Sequence, residues 1–334
     1  LEDLESRQAA QDAAILAAGP RWMVIRAWGC GFGADLDHVL GCLLLAEVTG
    51  RTPIVHWGAA SKFRDAGVEN AWESFFEPAT EATLGDVIGK KHAYYPPKWN
   101  DGNLRAPEVN RSQGPHSRMQ YLTYLARPEP VVVMDFMCGV VNVLPWVREG
   151  HRLRGASVSG AMRDLVKRYV RPRAEIAADV EAFARANFRG EVAAVHVRGS
   201  DKVIEDPALD EGNAALRRGV EQLAAERTEL SLFLLTDSEP IRQEYERIFG
   251  SRLTVAPATR ATGKTGVHFL PLKDRARLGR EVLRDMLLAA RCDWLLGPGN
   301  SNVSCMAAHF RDWEPGRLRF QVRSMHEQRN YFAY

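Results

Sequence analysis

The residues around the end of the apolar run Val192–Val197 are suited to holding a phosphate group. The run is typical of a buried strand, and the polar side chains in and after it are His196, Arg198, Ser200, Asp201 and Lys202. In open α/β sheets, ligands bind at the carboxyl ends of the strands. The planar fork of Arg198, the compact charge of Lys202 and the amides beside Gly199 together favour an anion. We therefore predict a phosphate site on this turn; a surface turn with an ion pair from Asp201 is the alternative.

A second anion site is predicted in Gly297–Ser304, which joins an apolar strand to a helix. Its small residues allow a phosphate to approach the helix N-terminus, where free amides and the helix dipole favour negative charge. The side chains expected to contact the ligand here are Asn300, Ser301 and Asn302.

Two aspartates are candidates for hydrogen bonds to the rest of such a ligand. Asp237 ends another apolar strand, where it suits a ribose or sugar hydroxyl, or where it caps the helix that follows. Asp285 lies between Leu283 and Met286 on a largely apolar helix face, and a carboxylate there is costly unless it is paired. A nucleotide base or a cationic side chain is the expected partner; a solvated position is the alternative.

The first half of the chain contains a glycine turn, Gly29–Gly33, between a strand and a helix. It lacks the full dinucleotide fingerprint, so it is weak support for a nicotinamide cofactor. The residues expected to face a cleft are Gly31, Phe32, Gly33 and His38, although a packed histidine is nearly as good an interpretation. Asp35-Leu36-Asp37 is similar to a metal-binding Asp-x-Asp, but acidic residues opening a helix are explained by its dipole.

Alternating strand and helix patterns predict an α/β protein with two Rossmann-like lobes facing a central cleft. We place the first lobe at residues 1–190, the second at residues 191–322, and a C-terminal tail at residues 323–334. The loops at about 90–130 in the first lobe contain aromatic rings suited to stacking on a sugar, at Tyr94, Tyr95, Trp99 and Tyr121.

Composition excludes several classes of protein. The 334 residues carry 44 basic and 42 acidic side chains, so the net charge of +2 gives no general attraction to nucleic acid or anionic membrane. No apolar run approaches the ~20 residues that span a bilayer. The five cysteines show no Cys-x-x-Cys spacing, which indicates neither a zinc site nor a disulfide framework. A reducing, cytoplasmic location is expected.

Taken together, these motifs resemble the α-1,6-fucosyltransferases in order and spacing. The similarity is carried by His-Val-Arg-Gly-Ser-Asp-Lys at 196–202, Thr236-Asp237, the helix around Asp285, and Gly-Asn-Ser-Asn-Val-Ser at 299–304. The resemblance implies a GT-B-like fold, a GDP-sugar donor in the second lobe, inversion at the anomeric carbon, and neither a metal nor another cofactor. The acceptor would be a hydroxyl of a glycan or small molecule.

The resemblance also implies roles for individual residues. Arg198 would hold the diphosphate, His196 would contact the nucleotide, Asp285 would recognise guanine, and Ser301 would meet a phosphate. Asp206 lies where the core-fucosylating enzyme has a proposed base, with Glu205 as the neighbouring alternative and Lys202 orienting the base or binding phosphate.

The chain departs from the family pattern at two positions. Gly199 replaces the second of two adjacent basic residues, and Ser238 replaces a second acidic residue. A GT-B transferase with another nucleotide-sugar, in natural-product biosynthesis, is therefore one alternative to GDP-fucose transfer. A nucleotide-sugar-binding protein without catalysis is the other.

Overall fold

The computed structural model describes residues 19–106, 123–200 and 206–328. The predictions made for Tyr121, Lys202 and Glu205 lie outside these residues.

The first lobe is built on a parallel four-stranded sheet with the strand order β2-β1-β4-β3. Its strands are β1 (Trp22–Arg26), β2 (Thr52–His56), β3 (Tyr94–Tyr95) and β4 (Val131–Val133). The helices are α1 (Phe32–Val48), α2 (Val140–Val143) and α3 (Val158–Tyr169). Almost every residue of α1 is buried, including Asp37 and His38, as expected for a helix that is apolar on all sides.

The second lobe contains a parallel five-stranded sheet with the order β7-β6-β5-β8-β9. The strands β5 and β6 are continuous apolar runs, the pattern of parallel strands covered on both faces. The strands are β5 (Val192–Val197), β6 (Ser231–Thr236), β7 (Leu253–Val255), β8 (Trp294–Gly297) and β9 (Leu318–Phe320).

Helices cover both faces of this second sheet. They are α4 (Ala174–Asn187), α5 (Leu209–Glu226), α6 (Glu239–Phe249), α7 (Arg275–Ala289) and α8 (Asn302–His309). Short 3₁₀ turns occur at Ala71–Ser74, Leu84–Asp86, Leu144–Trp146, Gly250–Arg252, Val267–Phe269 and Met325–Glu327. Two parallel sheets with crossover helices confirm the predicted α/β fold of two Rossmann-like lobes.

The chain crosses between the lobes near both ends of the second one. Helix α4 precedes residue 190, yet Phe188 behind it packs on Phe233 of β6 with ring centroids 5.4 Å apart. Residues 321–328 return to the first lobe, where the Ser159 hydroxyl donates to Glu327. The residue that follows α4 thus packs on the second sheet, and Glu327 of the predicted tail contacts the first lobe, while the boundaries at 190 and 322 stay predictions.

The two lobes meet closely, with aromatic rings at their junction. Phe32 at the start of α1 makes an edge-to-face contact with Phe75, the centroids being 5.0 Å apart. A β-carbon on Gly279 of α7 would lie 2.5 Å from the Phe75 ring, so the glycine allows the helix to approach this cluster.

Candidate active site

The order of the second sheet brings the two predicted phosphate elements together. The strand order reverses between β5 and β8, and ligands bind in the crevice outside the carboxyl ends at such a switch point. Arg198 follows β5 directly, and the turn at 298–301 follows β8. These two segments, 100 residues apart along the chain, therefore lie side by side.

A cavity of about 490 Å³ lies at this switch point, between the two lobes. That volume is within the range of small-molecule sites. The predicted site residues that line it are Gly31, Phe32, Gly33, His196, Arg198, Asp237, Asp285, Asn300, Ser301 and Asn302. Asp206, Ser200 and His38 do not line it.

Asp237 organises the turn that carries Arg198. Its carboxylate lies 3.0 Å from the Arg198 guanidinium, and it accepts hydrogen bonds from the Gly199 amide at 3.0 Å and the Ser200 hydroxyl at 2.7 Å. Burial alone would raise the pKa of Asp237, but Arg198, Ser200 and Gly199 outweigh it and the pKa is lowered. Asp237 and Ser200 were predicted as donor-binding residues, whereas the structure shows them bonded to each other and holding the turn.

Gly199 has no room for a side chain. A β-carbon there would lie 2.5 Å from Cβ of Ser238 and 2.9 Å from Cδ1 of Ile241. A larger residue at 199 would have to displace the start of α6. The turn therefore presents one guanidinium, that of Arg198, where the family pattern has two basic side chains.

His196 is held in the neutral state beneath the turn. It is 3% exposed, and Nδ1 shares a hydrogen bond with the Ser304 hydroxyl of α8. Burial, and then the charge of Arg198, hold the pKa of His196 well below its usual range. A neutral imidazole in this position can donate one hydrogen bond and accept another, but it adds no charge to the cavity.

The start of α8 forms the opposite wall. Amides in the first turn of a helix have no partner within that helix. Asn302 is oriented by His326, whose Nε2 lies 2.9 Å from the Asn302 side-chain oxygen. Asn300 donates to the Asp206 carboxylate at 3.0 Å, which places the candidate base one residue behind the cavity wall.

Asp285 lies at the other end of the cavity, on α7. It is 8% exposed, and burial raises its pKa to about 7 against the opposing charges of Arg284 and Arg260. The Arg284 guanidinium reaches its carboxylate at 3.4 Å but also donates to the Pro257 carbonyl. Asp285 can therefore pair with the Arg284 guanidinium on one side and with a ligand in the cavity on the other.

The first lobe contributes the start of α1. A β-carbon on Gly33 would lie 2.9 Å from the Asn302 carbonyl oxygen, so this glycine lets the first turns of α1 and α8 meet. His38 lies in the core with 0% exposure, where its Nδ1 accepts a hydrogen bond from the Cys138 amide at 3.0 Å. The prediction that His38 faces the cleft is corrected, because α1 is buried on all sides.

Both carboxylates of the Asp-x-Asp motif in α1 have structural roles within the first lobe. Asp35 accepts hydrogen bonds from the amides of Gly29 and Cys30, at 3.0 and 3.2 Å. Asp37 is 2% exposed, and burial raises its pKa to about 8. Within the described ranges, no group of three or more His, Cys, Asp or Glu side chains is arranged to hold a metal ion.

Several lining residues escaped the sequence analysis because they come from loops. Lys62 and Phe63 follow β2 of the first lobe, and Thr259, His268 and Phe269 follow β7 of the second. Each of these residues lies four or more positions beyond the end of its strand, where no strand-end pattern marks it. Only the packing of one lobe on the other brings them to the cavity.

Comparison with known proteins shows which proteins this chain is similar to. No family model matches the chain. An α-(1,6)-fucosyltransferase of Drosophila melanogaster is 29% identical over 140 residues, covering 36% of this chain and 22% of the relative. The matched segment thus spans about a fifth of the length of that curated relative.

Two solved structures align with most of the chain. The fucosyltransferase NodZ from Bradyrhizobium matches with a TM-score of 0.58 and 19% identity, covering 86% of this chain and 93% of NodZ. NodZ α-1,6-fucosyltransferase soaked with GDP-fucose matches with a TM-score of 0.58 and 20% identity, covering 87% and 93%. The chain has the fold of the GT-B fucosyltransferases. The resemblance to fucosyltransferases predicted from the sequence is thereby confirmed.

Every helix in the described part of the chain is too short or too polar to cross a lipid bilayer.

Proposed function

We propose that this protein is a glycosyltransferase that moves a sugar, fucose, from GDP-fucose to a hydroxyl of a glycan or small-molecule acceptor. The observation that carries the proposal is the shared cavity at the switch point, which joins Arg198, the first turn of α8 and Asp285. A NodZ enzyme of the same fold was crystallised and soaked with GDP-fucose.

The cavity suits each part of such a donor. Arg198 and the amides at the start of α8 can stabilise the negative charge that develops on the departing diphosphate. Asp285, once ionised, can accept hydrogen bonds from the ring and amino N–H groups of guanine, since a carboxylate offers only acceptors. Adenine lacks that pair of donors, so the position of Asp285 supports guanine.

We assign Asp206 as the base that takes the proton of the acceptor hydroxyl. Its carboxylate is half-buried and lies 3.0 Å from the Asn300 amide nitrogen, beside the phosphate wall. Asn300, its hydrogen-bond partner, lines the cavity, and catalytic hydrogen bonds often tighten only when substrate is bound. Glu205, in the preceding segment, is the alternative base, and Lys202 would orient the base or bind phosphate.

We also propose that transfer proceeds without a metal and with inversion. Asp35 and Asp37 are engaged in the first lobe, so charge neutralisation is assigned to Arg198 and the α8 amides. Asp237 is held by Arg198 and Ser200, which makes it unsuited to act as a covalent nucleophile. A single displacement, which inverts the anomeric carbon, fits this arrangement.

All five cysteines are free thiols. Four of them are buried, and Cys30 is half-buried. Free thiols are typical of reducing compartments, and we propose a cytoplasmic site of action on this ground.

The test is release of GDP from GDP-fucose, with and without a panel of glycan acceptors, by wild-type protein and Arg198→Ala. We expect turnover by wild type in the presence of EDTA, and a loss of about 100-fold or more in kcat/KM for the variant. Full activity of Arg198→Ala would contradict the assignment. GDP binding without turnover of GDP-fucose, GDP-mannose or another GDP-sugar would instead indicate a binding protein.

A further inference from the structure

Acidic side chains outnumber basic ones by three to two in the described walls of the cavity, so these walls have no net positive charge for a diphosphate. Their formally charged side chains are Lys62, Arg198, Asp237, Glu281 and Asp285. Arg198 is paired with Asp237 at 3.0 Å, so most of its charge is already balanced. A diphosphate leaving group carries several negative charges and needs additional cationic contact in the absence of water.

The turn at 198–200 cannot supply that contact itself. Ser238 occupies the space into which any side chain on Gly199 would project. A further cation from the described residues must therefore approach from another element.

Lys62 approaches from the opposite lobe. It lies in the loop after β2, is half-buried, and lines the same cavity as Arg198. Its ammonium lies 4.0 Å from the centroid of the Phe269 ring, which is 59% exposed. Because Phe269 also lines the cavity, the Lys62 ammonium lies where the two lobes meet beside it.

The loop that carries Lys62 is fastened to the second lobe. The Lys62 carbonyl accepts a hydrogen bond from Nε of Arg275 at 2.7 Å. Three residues later, Asp65 accepts from the backbone amides of Arg275 and Ala276, at 2.6 and 3.0 Å. Asp65 of one lobe thus bonds the first turn of α7 in the other, which holds the Lys62 side chain at the cavity.

We propose that Lys62 is a further cationic contact of the donor diphosphate, supplied across the crevice in place of the side chain that Gly199 lacks. This inference rests on the proposed function and assigns a further residue to its donor site. The diphosphate would then be held from both lobes, with Arg198 on one side and Lys62 on the other.

The experiment is calorimetric titration of wild type, Lys62→Met and Lys62→Arg with GDP and with guanosine. Met keeps the length of the side chain and removes its charge. We expect Lys62→Met to weaken GDP binding by about 10- to 100-fold, as for loss of a charged hydrogen bond, and to leave guanosine binding unchanged. Lys62→Arg should restore most of the GDP affinity. Lys273→Met is the matched control, because Lys273 is exposed just before α7 and does not line the cavity.

The outcomes separate this inference from the function on which it rests. A wild-type protein that binds no GDP would overturn the proposed function and the role of Lys62 together. Wild-type binding of GDP that Lys62→Met retains in full would overturn the role of Lys62 alone. An equal loss of GDP and guanosine binding in Lys62→Met, at unchanged Tm, would also overturn it, because the side chain would then not act on the phosphates.

Discussion

Gly33 of the first lobe lies so close to Asn302 of the second that a β-carbon on the glycine would come within 2.9 Å of the asparagine carbonyl oxygen. Gly31, two residues earlier and on the same cavity, has nothing within 4 Å of its corresponding position. The first turns of α1 and α8 are thus in contact through a single glycine.

Gly33→Ala should therefore separate the lobes, and Gly31→Ala should not. Forcing an extra methyl group into a packed contact costs about 1–3 kcal/mol. We expect Gly33→Ala to lower the free energy of unfolding by that amount and to weaken GDP binding, both measured against Gly31→Ala. Equal free energies of unfolding for the two variants would contradict the prediction, because the contact would then accommodate the methyl group without loss of stability.

Asp237 should be required for donor binding although its carboxylate is already occupied. Removing one member of this partly buried ion pair leaves the other charge uncompensated, which costs about 1–3 kcal/mol. Asp237→Ala should accordingly lower the free energy of unfolding and abolish GDP binding, while Asp237→Asn should retain part of both.

The pH dependence of stability follows from the lowered pKa of Asp237. Its stabilisation is present above the unfolded pKa of about 4 and is lost as the pH falls through the lower folded pKa. Urea titrations between pH 2 and pH 6 should show this loss in wild type and a smaller one in Asp237→Asn. Identical pH profiles would contradict the ion pair.

Asp285 should make binding of the base depend on pH near neutrality. Its pKa is raised to about 7, so the carboxylate is half-ionised there and largely protonated at pH 6. We expect guanosine affinity to rise about tenfold from pH 6 to pH 8, in proportion to the ionised fraction. Guanosine avoids the titration of a phosphate. A similar rise in Asp285→Asn would show that another group is responsible.

Asp37 should produce an opposite trend in stability. Its folded pKa of about 8 lies above an unfolded value of about 4, so unfolding releases a proton between these limits. The contribution of Asp37 to stability is therefore full below pH 4 and is lost as the pH rises to 8. Asp37→Asn removes the titration and should gain in Tm relative to wild type between pH 5 and pH 8. A constant difference in Tm would exclude this effect.

Much of the fold follows from local sequence patterns, and the exceptions have physical reasons. The apolar runs of β5 and β6 define both strands at their observed bounds, because parallel strands are buried on both faces. The strands β3 and β9 escaped prediction, since each is short, partly exposed and at the edge of its sheet. Their formation depends on the neighbouring strand.

The site residues also fall into those that local sequence patterns predict and those whose position depends on long-range contacts. Arg198, Asn302 and Asp285 were predicted because strand ends and a carboxylate on an apolar helix leave a local signal. Lys62 left none, since its place at the cavity depends on Asp65 and Arg275 joining the two lobes. Asp237 and Ser200 were recognised as important, but their mutual hydrogen bond depends on β5 and β6 being adjacent.

A crystal structure of this protein with GDP provides the most direct test of the donor site. We predict the β-phosphate within hydrogen-bonding distance of Arg198 and the first amides of α8, with the guanine edge facing Asp285. GDP bound outside the cavity, or within it with the base and phosphates exchanged, would contradict the assignment.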